Sequence, residues 1–330
     1  MDVVYTCDNN YIWIMGISII SLFECNKGVK ELNIYLLGDN IWADNKNQLN
    51  NIAKQYGRNF QMIDIPEINI PKGLCNQRWP RSAYIRLFSG KLLPNSVNKV
   101  LYLDCDTIVT GDISELWQID ISDFTIYGVK DCVGKAYNKN IGLDINATYV
   151  NAGVLLINLE KLREISMSQC IDSFLRKYSK LMSYSDQDVL NGIFCGKFGI
   201  LHPKYDVMTL LYSYNYDEVM TIRRPNNYYT KDEIYMAKMQ PCIVHFTTCM
   251  LAIRPWFLGS QHPYASQFQT YKEKSPWAEK EMLSINFGST KGKALKIVLK
   301  LPKLISLPII GYIHSFLKPY FLRIKSMFAY

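Results

Sequence analysis

Residues 100–117 read VLYLDCDTIVTGDISELW, an apolar run that ends abruptly in Asp104-Cys105-Asp106. In a strand, residues i and i+2 share a face, so Asp104 and Asp106 converge while Cys105 turns away into the core. Two carboxylates that close repel, and each resists ionising when buried. A hard divalent cation with oxygen ligands is the natural group to sit between them. The plain alternative is a polar strand end with two solvated carboxylates. Other residues invite the same scrutiny. Thr6-Cys7-Asp8 ends the first apolar run, with Asn10 just beyond. Asn151 interrupts the apolar stretch Tyr149–Leu159. A buried amide without a partner costs about 1–3 kcal/mol, so Asn151 needs one. Ser185-Asp186-Gln187-Asp188 precedes an apolar helix, with Ser185 placed as N-cap. Ile243–Phe246 delivers His245 at a strand end.

The elements that position these residues alternate along the chain. The pattern predicts a strand at Val3–Cys7, a helix at Tyr11–Phe23, and a second strand at Asn33–Leu37. An amphipathic helix over 45–57 follows, with Gly57 at its end, then a strand at Phe60–Ile65. A helix over Ser82–Leu93 leads into the strand ending at Leu103, and a further helix spans Leu162–Tyr178. Such alternation implies an α/β fold: a mainly parallel sheet flanked by helices. Ligands of these sheets bind beyond the carboxyl ends of the strands. Both acidic clusters fall at that edge.

The chain has 330 residues, 48% of them apolar and 20% charged, enough for one large α/β domain or two small ones. Of 37 basic and 29 acidic residues, the whole excess of eight lies beyond Glu281, where no acid occurs. A neutral body with a basic tail argues against a general nucleic-acid binder and for a local electrostatic device. Nine scattered Cys without a C-x-x-C pair suit a reducing cytoplasm and give no zinc ribbon. The N-terminus lacks a basic n-region, which argues against a secretory signal; the sequon Asn146-Ala147-Thr148 is discounted accordingly. Residues 11–23 are apolar but too few to span a bilayer. No Walker loop, G-x-G-x-x-G or H-E-x-x-H is present, which removes support for P-loop kinases, dinucleotide oxidoreductases and zincins.

Five blocks, in order, resemble the family-eight retaining glycosyltransferases, which include glycogenin and bacterial lipopolysaccharide hexosyltransferases. They are VVYTCDNNY (3–11), RSAYIRL (81–87), VLYLDCDTIV (100–109), YVNAGVLLIN (149–158) and SDQDVLN (185–191). A sixth, HFTTCMLAIRPW (245–256), matches loosely, and the resemblance runs to about residue 275. It implies a GT-A fold with a Rossmann-like nucleotide-binding half, a mixed, mainly parallel central sheet flanked by helices, and transfer of galactose or glucose from a UDP-sugar with retention. The acceptor would be a glycan or glycolipid hydroxyl in lipopolysaccharide, capsule or another surface glycan. Asp104 and Asp106 would be the metal-binding D-x-D, with His245 as third ligand. An Asp/Asp/His set leans towards Mn²⁺, with Mg²⁺ second. Thr6, Asp8 and Asn10 correspond to the uridine end of the first strand; Asp8 and Asn10 are also good helix caps. Arg86 corresponds to the arginine that reaches diphosphate and sugar, where forked donors suit phosphate; Arg78 and Arg81 are weaker candidates. Cys105 and Ala152 join the nucleotide-sugar set with Arg254. Asn151 would meet a sugar hydroxyl, and Asp186 and Gln187 would hold the sugar and face its anomeric carbon. Gln187 is an amide and a poor nucleophile, which favours front-face attack over a covalent intermediate. Asp188 reads as structural or as a helix-start charge.

The family usually closes its site with H-x-x-G-x-x-K-P-W. Here the glycine is missing, the spacing is three residues longer, and Arg254 replaces the lysine. Beyond it, residues 276–330 form a basic tail. Lys293, Lys296 and Lys300 fall on one helical face, while Pro302 and Pro308 are expected to break the run. A tail of this kind reads as docking on an anionic leaflet, which would place the protein in the cytoplasm at the inner face of the membrane. Packing of the tail on the domain is the competing reading. The main rival function is a haloacid dehalogenase-type phosphohydrolase, whose strand also ends in D-x-D-x-T, with Asp104 as nucleophile and Mg²⁺ as metal. It would need a later lysine and acidic pair that the sequence does not offer convincingly.

Overall fold

The computed structural model describes residues 1–65, 81–250, 252–285 and 298–328. Arg78, Lys293 and Lys296 lie outside the described residues. The strands, in chain order, are β1 (Asp2–Asp8), β2 (Asn33–Asp39), β3 (Asn59–Asp64), β4 (Lys99–Leu103), β5 (Thr107–Val109), β6 (Ile126–Lys130), β7 (Val150–Asn158), β8 (Gly199–Ile200), β9 (Val207–Met208) and β10 (Ile243–His245). Seven of them form a central sheet in the order β3-β2-β1-β4-β7-β6-β8. All neighbours pair in parallel except at β7, which runs against both β4 and β6. The sheet is therefore mixed and mainly parallel. All nine residues of β7 are buried, as expected for a strand covered on both faces.

The single reversed strand matters for the site. Because β7 is antiparallel to β4, its start lies beside the end of β4: Leu103 pairs with Val154, and the Asp104 N–H donates to the Gly153 carbonyl at 2.7 Å. A second, three-stranded sheet repeats the device. Antiparallel pairing of β10 with β5 sets His245 opposite Thr107, and the Phe246 N–H donates to the Asp106 carbonyl at 2.8 Å.

Helix Ile12–Cys25 buries twelve of its fourteen residues, so its apolar run is core. The expected helix over Ser82–Leu93 divides into Arg81–Ile85, a 3₁₀ turn at Arg86–Phe88 and Ser89–Leu92. That over Leu162–Tyr178 divides into Leu159–Arg163 and Met167–Tyr178. The tail also departs from expectation. Pro302 caps a helix, but Pro308 lies inside Lys303–Tyr312, which continues through a π-turn at Ile313–Leu317 into Lys318–Phe328. A helix-interior proline leaves one carbonyl four residues back without its donor. Here Pro308 and Leu304 are solvent-exposed, so water can serve that carbonyl. The C-terminal helix also packs on the body. Leu307 and Ile310 meet Ile222, and Gly311 lies so close to helix Tyr216–Arg223 that an added Cβ would sit 2.3 Å from the Thr221 carbonyl oxygen.

Candidate active site

At the carboxyl edge of β1 and β4 a cleft of about 770 Å³ opens. Thr6, Asp8, Asn10, Arg86, Asp104, Cys105, Asp106, Asn151, Ala152, Asp186, Gln187, His245 and Arg254 all line it. The structure thus brings these thirteen candidate residues to one place.

Asp104, Asp106 and His245 offer ligand atoms that all lie within 4.8 Å of one another. His245 Nε2 is 3.2 Å from Asp106 Oδ1 and 3.7 Å from Asp104 Oδ2. Its other nitrogen, Nδ1, meets Asp206 Oδ1 at 2.9 Å, and Asp206 is fully buried. A carboxylate behind a histidine fixes the ring and aims its free nitrogen, the usual support of a metal-ligating imidazole. The donor set, its spacing and this backing all fit a divalent cation. Burial opposes charge on Asp106, but His245 and Arg254 overcome it and hold the carboxyl near 2. Burial likewise opposes charge on His245, yet Asp206 and Asp106 push its pKa well above the usual range. The Arg254 guanidinium, 3.3 Å from Asp106 Oδ2, thus helps offset the acids.

Arg86 is buried rather than exposed. Nη2 reaches Asp104 Oδ1 at 2.9 Å, Nε reaches Asp186 Oδ2 at 3.2 Å, and Nη1 donates to the Ala152 carbonyl. Its guanidinium also lies 4.4 Å over the Tyr102 ring. It is the hub that joins the acid at the end of β4 to the acid of the Asp186–Phe194 helix. Burial lifts the Asp186 carboxyl to about 6; Arg86 opposes that rise and Asp104 adds to it.

The amides form a second array. Gln187 Oε1 accepts from the Ala152 N–H at 3.2 Å, and Nε2 donates to Asp131 Oδ2 at 2.9 Å. Asn151 Oδ1 accepts from the Gly153 N–H at 2.7 Å, and Nδ2 donates to the same Asp131 oxygen at 3.4 Å. Asn151 therefore has a backbone partner and still borders the cleft. Ser185 takes the residue before the helix at φ +52°, a left-handed backbone, and makes no side-chain cap. Its hydroxyl bonds Tyr84 instead, at 2.5 Å. Asp188 holds the same turn from below. It accepts from the Ser183 and Tyr184 N–H groups at 2.6 and 2.7 Å and from the Tyr149 hydroxyl at 2.6 Å.

At the far end, Asp8 accepts from the Asn10 and Tyr11 N–H groups, closing the turn into helix Ile12–Cys25, while Asn10 stays exposed. Thr6 bonds the Tyr102 hydroxyl, and Cys105 is buried with its thiol on the Thr6 carbonyl. Arg254 Nη2 donates to Thr248, and Nη1 to the Tyr11 hydroxyl.

A family model, "Glycosyl transferase family 8", matches residues 2–258. The chain belongs to glycosyl transferase family 8. General stress protein A of Bacillus subtilis is 24% identical over 280 residues, covering 84% of this chain and 94% of that protein. Lipopolysaccharide 1,2-glucosyltransferase of Escherichia coli K12 is 28% identical over 290 residues, covering 84% and 79%. Among solved structures, the galactosyltransferase LgtC in complex with donor and acceptor sugar analogs superposes with a TM-score of 0.68 at 24% identity, covering 84% of this chain and 96% of that one. The architecture is the GT-A fold, and this family-eight chain is a glycosyltransferase.

Three residues escaped the sequence reading. Asp131 ends the apolar strand β6 at the same edge as Asp8 and Asp104, so its position was a usable signal. Asp206 and Tyr184 gave none: each lies in no recognisable pattern and acquires its role only through tertiary contact.

Proposed function

We propose that this family-eight enzyme moves galactose or glucose from a UDP-sugar to a glycan or glycolipid hydroxyl, with retention, at the inner face of a membrane. The observation that carries the reading is the convergence of Asp104, Asp106 and His245, backed by Asp206, beside the Gln187–Asp131–Asn151 amide array. Asp104, Asp106 and His245 would hold Mn²⁺, or Mg²⁺ in second place. Bound there, the cation would neutralise charge developing on the diphosphate leaving group.

The chain's own residues supply the rest. Thr6, Asp8 and Asn10, with Cys105 behind them, border the uridine end. Arg254 sits where it can leave Asp106 for the diphosphate. Arg86 holds Asp186, which with Asn151 and Ala152 frames the sugar. Gln187 is clamped at both ends of its amide, so it presents a fixed dipole to the anomeric carbon rather than a carboxylate nucleophile. That arrangement favours front-face attack, with the departing phosphate oxygen taking the acceptor proton. The relatives are named for glucosyl transfer to lipopolysaccharide and galactosyl transfer to lipopolysaccharide, which supports a cell-surface glycan acceptor. Nothing supports the phosphohydrolase alternative.

The test is UDP release by the purified protein from UDP-Gal, UDP-Glc, UDP-GlcNAc and UDP-GlcA, with Mn²⁺ or with EDTA. One hexose donor should be turned over, and EDTA or Asp106→Asn should abolish the activity. Cleavage of a generic phosphomonoester in place of any UDP-sugar would overturn the reading.

A further inference from the structure

The family match ends at residue 258, yet the C-terminal helix reaches the turn that carries Asp186 and Gln187. Its π-turn at Ile313–Leu317 inserts an extra residue per turn, a feature that recurs at functional sites. From this turn His314 points into the body. Its ring lies 5.4 Å from the Tyr137 ring, and Nε2 is 2.5 Å from Arg223 Nη1 and 3.4 Å from the Tyr184 hydroxyl. Arg223 Nη1 also lies 3.5 Å from that hydroxyl. A guanidinium, an imidazole and a phenol therefore meet behind Tyr184, which lines the cleft.

The chemistry of this cluster is constrained. Among the described residues no carboxylate lies within 4 Å of Arg223, so its close partners are His314 and Tyr184. A guanidinium only donates, which makes His314 Nε2 the acceptor and the ring neutral. Tyr184 is in turn part of the catalytic turn. Its N–H is held by Asp188 at 2.7 Å, its carbonyl accepts from the Gln187 N–H at 3.1 Å, and Ser185 follows with φ +52°. A left-handed serine persists only where its surroundings over-determine it. The lower side of that turn is Asp188; the outer side is the Tyr184 ring, braced by Arg223 and His314. The same helix stretch is pinned to the body by Ser315, whose hydroxyl donates to the Ile222 and Arg223 carbonyls, and by the Tyr137 hydroxyl on the His314 carbonyl at 2.7 Å.

We infer that His314 is a positioning residue: through Arg223 and Tyr184, the C-terminal helix sets the Ser185–Gln187 turn that faces the donor sugar. The helix is thus a working part of the site and not only a surface for docking. Anything that shifts the helix on its bed shifts Tyr184. The catalytic consequence rests on the donor reading above; the physical coupling does not.

The experiment compares His314→Leu, which fills the space but cannot accept a hydrogen bond, with His314→Gln, which can. Two readouts are taken on the full chain without vesicles: amide hydrogen exchange over residues 183–187, and UDP-hexose hydrolysis. His314→Leu should speed exchange across the turn by about tenfold and lower kcat about tenfold, with UDP affinity within about twofold of wild type. His314→Gln should restore both. Wild-type exchange in His314→Leu would overturn the coupling, as would His314→Gln behaving like His314→Leu, because packing alone would then explain the effect. Should His314→Leu fail to fold, Tyr184→Phe decides: it keeps the ring, loses the hydroxyl, and should show the same accelerated exchange and lower kcat. Wild-type behaviour there would overturn the inference. A wild-type protein that hydrolyses no UDP-hexose would count against the donor assignment, while the exchange readout would still judge the coupling.

Discussion

Gly153 lacks a side chain because His245 occupies the space one would need. A Cβ at that position would lie 2.2 Å from His245 Cε1, 2.7 Å from Nδ1 and 3.0 Å from Asn151 Oδ1. The imidazole cannot retreat, because Asp206 stands behind it and the surrounding core is closed. One added methyl group must therefore push the ring off its line with Asp104 and Asp106, or push β7 off β4. Gly153→Ala should lower Mn²⁺ affinity at least about tenfold, at a stability cost of about 1–3 kcal/mol for an overpacked site. Metal titration against a thermal melt checks it. Wild-type Mn²⁺ affinity in a folded variant would show that the ring is not held where the structure has it. The glycine also shows what a motif conceals. YVNAGVLLIN displays an amide in an apolar strand, which announces a site. That the glycine two residues later exists for a histidine 92 positions away is visible only once β7 and β10 converge.

At the scale of elements, the first half of the fold was legible because its strands are short apolar runs, each stopped by Gly, Pro or Asp. β1, β2, β3 and β4 appear where the pattern put them, to within a residue or two. The direction of β7 was not legible. An apolar run reads the same for a parallel and an antiparallel strand, and only the connection decides. β5, β8 and β9 have three residues or fewer, too few for a period to show, whereas the equally short β10 was legible as the apolar run that ends at His245. Asp206 stays hidden for the same reason, since it precedes the two-residue β9. Pro308 misled in the other direction, because an exposed helix face tolerates the missing donor. The C-terminal helix carries its own pH signature. Burial pushes the His314 pKa down to about 2, and the charges of Arg223 and Lys318 push the same way; Tyr137 and Tyr184 are the other titratable groups against the ring. The folded state therefore favours the neutral ring. Its stability is fully present above the unfolded histidine pKa of about 6.5 and is lost as pH falls below it, by up to about 1.4 kcal/mol per pH unit. Melting of the wild type should drop more steeply than that of His314→Gln between pH 7.5 and 5. Parallel curves would show that the ring does not stay neutral in the fold.

For the molecule as a whole, the basic excess and a set of exposed apolar side chains both belong to the C-terminal segment of the chain. The body is close to neutral and the basic excess lies beyond Glu281. Among the described residues no helix is long and apolar enough to cross a membrane. The C-terminal helix uses one face to bind the body and leaves several large apolar side chains outside: Leu304 is 89% exposed, Met327 75%, Phe328 80%, and Tyr320 and Phe321 62% each. Isolated exposed apolar residues are ordinary, but several of them on one helix beside Lys300 and Lys325 are what an interfacial helix presents to a leaflet; Lys318 instead lies over the Tyr137 and Tyr184 rings. The two readings of the tail are thus compatible, since opposite faces serve them. Packing supplies the inner face, and a bilayer would cover the outer one. Leu304 and Phe321 are both largely exposed, so Leu304→Glu/Phe321→Glu should melt close to the wild type. Burying each apolar side chain is worth about 1.5–3 kcal/mol, so the double variant should partition onto vesicles of phosphatidylglycerol at least about a hundredfold more weakly. Wild-type binding should also fall between 0.1 and 1 M salt, where the screening length shrinks from about 10 to 3 Å. Equal flotation of wild type and double variant would remove the exposed apolar side chains from the account. Flotation on neutral phosphatidylcholine as strong as on phosphatidylglycerol would remove the basic residues from it.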